Sequence, residues 1–123
     1  MSHSSTTITR IREAFDAGHA LGLLQKAISI PSVTGSEANF AGWLKGELAG
    51  LGVEPSSAEF AEGRPNVWGV RPGRGGADTL LLIGHPDTVH TRGWKERWAG
   101  SERESPFSGA VADGAVWAAG RAI

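Results

Sequence analysis

The 123-residue chain contains no cysteine, which excludes disulfides and thiolate metal sites. It has no excess of charge of either sign, since twelve basic residues against thirteen acidic ones leave a formal net charge of -1. Without a basic block to neutralise several phosphates, nucleic acid is not an expected partner. Long hydrophobic runs are also missing. The longest, at 80–84, falls far short of the roughly 20 residues a spanning helix needs, and the polar start MSHSSTTITR has no apolar signal core close behind it. No membrane partner is therefore expected, and the cytoplasm is the expected compartment. There is no G-x-S-x-G elbow, Walker glycine loop or G-x-G-x-x-G fingerprint. The glycines of PGRGG follow a strand-like run but open no helix, which argues against phosphate binding.

A hydrophobic content of 40% with 20% charged residues is that of an ordinary soluble globular protein. A chain of this length has room for one domain burying roughly two thirds of its unfolded surface. Residues 1–8 read as a flexible tail, with the domain over 9–123. Ile11, Phe15, Leu21, Leu24 and Ile28 recur at helical intervals until Pro31, predicting a first helix. Thr34 and Glu37 in TGSE have the spacing of a capping box. Phe40, Trp43, Leu44, Leu48 and Leu51 mark one apolar stripe of a second helix, with Gly50 and Gly52 available to end it.

The period then changes. VEPSSAEF reads as an edge strand weakened by Pro55, NVWGV as a short strand, and TLLLIG at 79–84 as a central strand apolar on both faces, of the kind helices cover on each side. The remainder is loop-rich until a turn at Asp113-Gly114 and a last short strand, AVWAA. Two helices followed by strands predict a layered α/β fold with a mixed sheet. No internal repeat, low-complexity tract or domain linker is present.

The chemistry concentrates in LLLIGHPDTVH, where the aliphatic run passes straight into His85, Asp87 and His90. In open α/β sheets the ligand site lies beyond the carboxyl ends of the strands, so polar groups there are held where chemistry occurs. His85 and Asp87 stand at i and i+2, on one face of extended backbone. A neutral imidazole can bind Zn²⁺ through one nitrogen while a carboxylate fixes its tautomer through the other. From this short spacing alone, a satisfied histidine at a strand end and an aspartate opening a turn is the more economical reading.

The wider pattern shifts that balance. IPSVTGSE after one helix, an amphipathic helix ending in LAGLG, then RPNVWGV, LLLIGHPDTVH, Trp98 and PFSGAVADGAVW, in that order, resemble the start of the catalytic domain of the M20 metallopeptidase and deacylase family. That family includes acetylornithine deacetylase and succinyl-diaminopimelate desuccinylase. The resemblance runs from about Leu21 to Trp117, and GHPDTVH is its most specific piece. It implies the amino-terminal part of a layered α/β domain of the zinc-exopeptidase type. It also implies His85 as first metal ligand and Asp87 as the acid that orients it. The implied reaction is cleavage of an N-acyl amino acid or peptide amide by water activated between two Zn²⁺ (or Co²⁺) ions, with a glutamate as base. A homodimer is possible for such an enzyme.

Other residues carry less. His90 lies past the metal motif and reads as a loop histidine. Trp94 and Trp98 read as anchors of a surface loop at least as well as a substrate lip, Asn66 as a strand residue, and His19 as a helix-surface residue. The resemblance departs at the end: the family continues with a segment like Y/W-G-R-G-x-x-D whose aspartate bridges the metals, where this chain has Trp117-Ala-Ala-Gly-Arg-Ala-Ile123. Restoring one base after the Trp117 codon can, for one choice of codons, turn residues 118–123 into Gly-Arg-Gly-Gln-Gly-Asp. Three readings follow: part of a dinuclear amidohydrolase, inactive alone and prone to non-specific association; a non-catalytic binding module retaining part of the fold; or a small one-metal hydrolase using His85, Asp87 and His90.

Overall fold

The computed structural model describes residues 3–73, 75, 76 and 78–119, with side chains from Thr6 onward. Helices α1 (His3–Ala14), α2 (Ala17–Ile28) and α3 (Ala38–Gly50) are followed by strands β1 (Glu54–Ala61) and β2 (Arg64–Val70). A short helix α4 (Trp94–Trp98) and strands β3 (Ala110–Ala112) and β4 (Ala115–Trp117) complete the order. The class is α/β, with two small antiparallel hairpins, β1-β2 and β3-β4, in place of the expected mixed sheet.

The helix expected from Ile11 to Ile28 is two helices. Asp16 takes extended backbone (φ -100°, ψ 104°) and its carboxylate accepts the His19 amide at 2.9 Å, capping α2. Aspartate competes with helix continuation by bonding local amides, so the chain can turn here although the apolar period runs on. The separated α1 spans His3–Ala14, and its Ile8 and Ile11 remain exposed.

Helix α3 carries the predicted stripe as far as Leu48, with Ala41 buried and Phe40, Trp43, Leu44 and Leu48 half-buried, while Leu51 falls at its C-cap and is exposed. It stops at a Schellman motif. Gly52, at φ +72°, donates to Ala49 O and Val53 donates to Leu48 O, which satisfies carbonyls that the helix end would leave unpaired. The chain then enters the β1-β2 hairpin, in register from Glu54 opposite Val70 to Ala61 opposite Arg64 with a bulge near Glu59, and α3 packs on it. Pro55 is accommodated within β1 opposite Gly69, where a side chain would not fit: a Cβ would stand 2.4 Å from Val53 Cγ1 and 3.1 Å from the Glu54 carbonyl.

The central strand expected at 79–84 does not form. Among the described residues it has no strand partner, and Leu80, Leu81, Leu82 and Ile83 are 77–90% exposed. A strand apolar on both faces is stabilised only when layers cover both, and here the side chains at 80–83 are left uncovered. The core is correspondingly small: among the described residues Ala41 and Ala119 are the buried apolar ones, and the accessible surface is 9597 Å². A folded chain of this mass ordinarily exposes about 6,300 Å². The chain thus buries about half of its extended surface rather than the expected two thirds.

The carboxyl-terminal region follows the sequence more closely. Asp113 and Gly114, both at positive φ (52° and 74°), form the turn joining β3 to β4. Trp94 and Trp98 anchor their loop: Trp94 Nε1 donates to Arg103 O at 2.7 Å, and the Trp98 and Trp117 rings meet edge-on at 5.0 Å. The Arg103 guanidinium lies over Trp117 and Trp98 and pairs with Asp113. Of the segment 118–123 expected to be out of frame, Gly120 onward lies outside the described residues.

Candidate functional site

Two loops that are far apart in sequence are stitched together here. Thr88 donates its amide to Ser32 O at 2.8 Å, Thr34 donates its amide to Thr88 O at 3.1 Å, and Val33 and Thr88 form an isolated parallel bridge. The Ser32 hydroxyl, itself buried, donates to Pro86 O at 2.6 Å. These bonds hold the segment 85–88 against the loop between α2 and α3, although the strand meant to carry it is unpaired.

His85 and Asp87, named from the sequence, are brought together. His85 Nδ1 lies 2.7 Å from the Asp87 carbonyl oxygen and 3.1 Å from Asp87 Oδ1. A carbonyl oxygen can only accept, so Nδ1 carries the hydrogen and donates. In the neutral ring this leaves the Nε2 lone pair free, and the side chain is 83% exposed. The other carboxylate oxygen, Asp87 Oδ2, accepts from the Thr34 hydroxyl at 2.7 Å. The Thr34 hydrogen bond above all, and then the His85 ring, hold the Asp87 carboxyl below its ordinary pKa, against an opposing effect of partial burial.

Glu37 does not form the capping box its spacing suggested. Thr34 turns to Asp87, while Glu37 Oε1 accepts from the Gly35 amide at 3.0 Å and from Arg64 Nε and Nη2 at 2.9 and 2.7 Å. The Arg64 hydrogen bond first, and the Gly35 amide second, lower its pKa, with burial opposing them. At 2% exposure it is the largest fully buried side chain described. Arg64 also stacks on Phe60, 4.9 Å from the ring centroid, and the Asp87 charge adds to the effects that keep it protonated. Thr34, Glu37 and Arg64 were not named from the sequence as parts of a site. Their partners lie 53 and 27 residues away in the chain, and no local spacing encodes that.

His85 and Asp87 border a cleft of about 310 Å³ walled mainly by apolar side chains, Leu24, Ile28, Phe40 and Phe107 among them. His90 is exposed, and His19 lies on α2, also exposed. Among the described residues no group of three His, Cys, Asp or Glu side chains stands close enough to hold a metal ion. The donor set therefore fits one ligand nitrogen and its orienting acid, not a complete metal centre. Among the described residues no helix is long and apolar enough to cross a membrane.

By sequence, the chain is a relative of the M20 metallopeptidase and deacylase family. The proteins it matches are succinyl-diaminopimelate desuccinylases. That of Leptothrix cholodnii is 38% identical over 81 residues, covering 63% of this chain and 21% of the relative. That of Beijerinckia indica is 34% identical over 105 residues, covering 84% of this chain and 26% of the relative. The Gluconacetobacter diazotrophicus protein is 34% identical over 106 residues, with 82% and 25% covered. The chain thus spans about a quarter of the length of the curated relatives it matches. No family model matches it, and no solved structure matches it significantly.

Proposed function

We propose that the chain supplies the first ligand, His85, and its orienting acid, Asp87, to a di-metal amidohydrolase, and that residues 9–123 are the amino-terminal part of its layered, zinc-exopeptidase-type catalytic domain. The carrying observation is the His85 ring, tethered at Nδ1 to Asp87 with Nε2 free and exposed. Metal-bound histidines typically donate their other ring nitrogen in this way. The substrate class is an N-acyl amino acid or peptide, as supported by relatives named for succinyl-diaminopimelate, and the compartment is the cytoplasm. Zn²⁺ or Co²⁺, when bound in the complete centre, would supply an activated water and stabilise the developing oxyanion. What the residues described here contribute is orientation: Asp87 sets the tautomer, and the stitched loops hold the pair at the cleft. The 123 residues alone are inactive, because one imidazole and one carboxylate cannot hold two ions or add a base.

Zinc added to the isolated chain is expected to perturb the His85 ring resonances, weakly, through Nε2. Resonances indifferent to zinc sink the ligand assignment. Assays with N-acetyl and N-succinyl amino acids and dipeptides, with zinc or cobalt present, are expected to show no turnover. Metal-dependent turnover lost in His85→Ala would overturn the inactivity. A second reading, a non-catalytic interaction module, draws on the exposed run at 80–83; a discrete complex of fixed stoichiometry, with a His85 that ignores zinc, favours it.

A further inference from the structure

We propose that Thr34 is a positioning residue for the His85-Asp87 pair: its hydroxyl pins one carboxylate oxygen of Asp87 so that the other faces the imidazole and fixes its tautomer. The meaning of this for metal binding rests on the reading above, but the positioning itself does not.

A carboxylate is free to swing, because the torsion that turns its plane is broad. Here both oxygens are committed, Oδ2 to the Thr34 hydroxyl at 2.7 Å and Oδ1 to His85 Nδ1 at 3.1 Å. The hydroxyl can act as a fixed point because its own backbone is held on both sides. The Thr34 amide is bonded to Thr88 O. The next amide, that of Gly35, is bonded to the buried Glu37 carboxylate, which Arg64 clamps in turn. On the other side, Ser32 grips Pro86 and Thr88. Backbone bonds already join the two loops, so the hydroxyl is not needed for that purpose. Its shortest contact is the carboxylate, while the Thr88 carbonyl is a longer second acceptor at 3.3 Å.

An unrestrained imidazole in water favours the Nε2-H tautomer, whereas the Asp87 acceptors demand Nδ1-H and so leave Nε2 as the outward lone pair. Loss of the pin removes part of that demand. The Asp87 carbonyl still accepts from Nδ1, so the effect is partial rather than complete.

The test reads ring ¹⁵N and ¹³C shifts of His85 in the full chain, metal-free with chelator present, at a pH of about 8.5 where imidazoles are neutral. Solution or magic-angle spectra both serve, so association does not obstruct the reading, and His85→Gln assigns the signals. Nδ1-H is expected to dominate in the unmodified chain. Thr34→Val, nearly isosteric, is expected to move the ratio about fivefold toward Nε2-H, a fraction of one hydrogen bond to a charged group, while Thr34→Ser retains the original ratio. If valine disturbs the fold, Thr34→Ala with an unchanged circular dichroism spectrum is read the same way. An unchanged ratio in Thr34→Val, or an equal shift in Thr34→Ser, overturns the proposal. Because no metal is present, failure here is distinct from a His85 that does not respond to zinc.

Discussion

Leu80, Leu81, Leu82 and Ile83 are the most apolar run of the chain and among its most exposed side chains, at 77–90%. Covering one such side chain contributes about 1.5 kcal/mol, the lower end for an aliphatic group. In extended backbone, Leu80 and Leu82 share one face and Leu81 and Ile83 the other. A copy that covers one face against a single neighbour gains roughly 6 kcal/mol from the four side chains covered, and a copy held between two neighbours gains roughly 12 kcal/mol. Association itself costs at least about 4 kcal/mol. One covered face leaves a net of about 2 kcal/mol, too weak for a dimer, whereas two covered faces leave about 8 kcal/mol, near micromolar affinity. Covering both faces requires more than one neighbour, so the expected product is open-ended association and not a closed dimer. Light scattering coupled to size exclusion, from about 1 to about 100 µM around that affinity, is expected to show mass rising with concentration. The double variant Leu81→Lys, Leu82→Lys places a charge on each face and is expected to stay monomeric with an unchanged circular dichroism spectrum, since neither side chain is buried in the fold. A monodisperse unmodified chain at the highest concentration, or a double variant that associates equally, refutes the reasoning.

Two further outcomes concern the fold around the site. The folded-state pKa of Glu37 is lowered by Arg64 and the Gly35 amide, so the stability it contributes is present above the ordinary glutamate value of about 4.3 and is lost as pH falls through the lowered one. Melting curves from neutral to acid pH are expected to be less pH-dependent in Glu37→Gln than in the unmodified chain; equal dependence would remove Glu37 from the account. Gly69→Ala forces a Cβ against Val53 and the Glu54 carbonyl and is expected to destabilise the β1-β2 hairpin by about 1–3 kcal/mol, read by urea unfolding. A stability equal to that of the unmodified chain would show that the hairpin yields freely there.

Much of this protein is written locally. The α3 stripe and its Gly52 terminus, and the Asp113-Gly114 turn, follow from residues within a few positions of one another. For such contacts, periodicity and backbone permissiveness decide the geometry. The motif order around GHPDTVH likewise carried the family relationship, because the order of several short motifs survives where any one of them would be ambiguous. Other features needed the folded chain. Asp16 breaks a helix that the apolar period alone would continue, because its carboxylate offers the next amides a competing acceptor. Glu37 had the spacing of a cap, yet Arg64 arrives from 27 residues away and takes it. Thr34 meets Asp87 across 53 residues, through two loops zipped by backbone bonds. The run at 79–84 has every local mark of a strand and is none, since pairing is a property of neighbours. The sequence by itself therefore determined the α3 helix, the hairpin turn, the kinship and the local spacing that lets the His85-Asp87 pair meet. Only the tertiary structure decided what holds that pair and what leaves the apolar run bare, because long-range hydrogen bonds and burial depend on which distant segments meet.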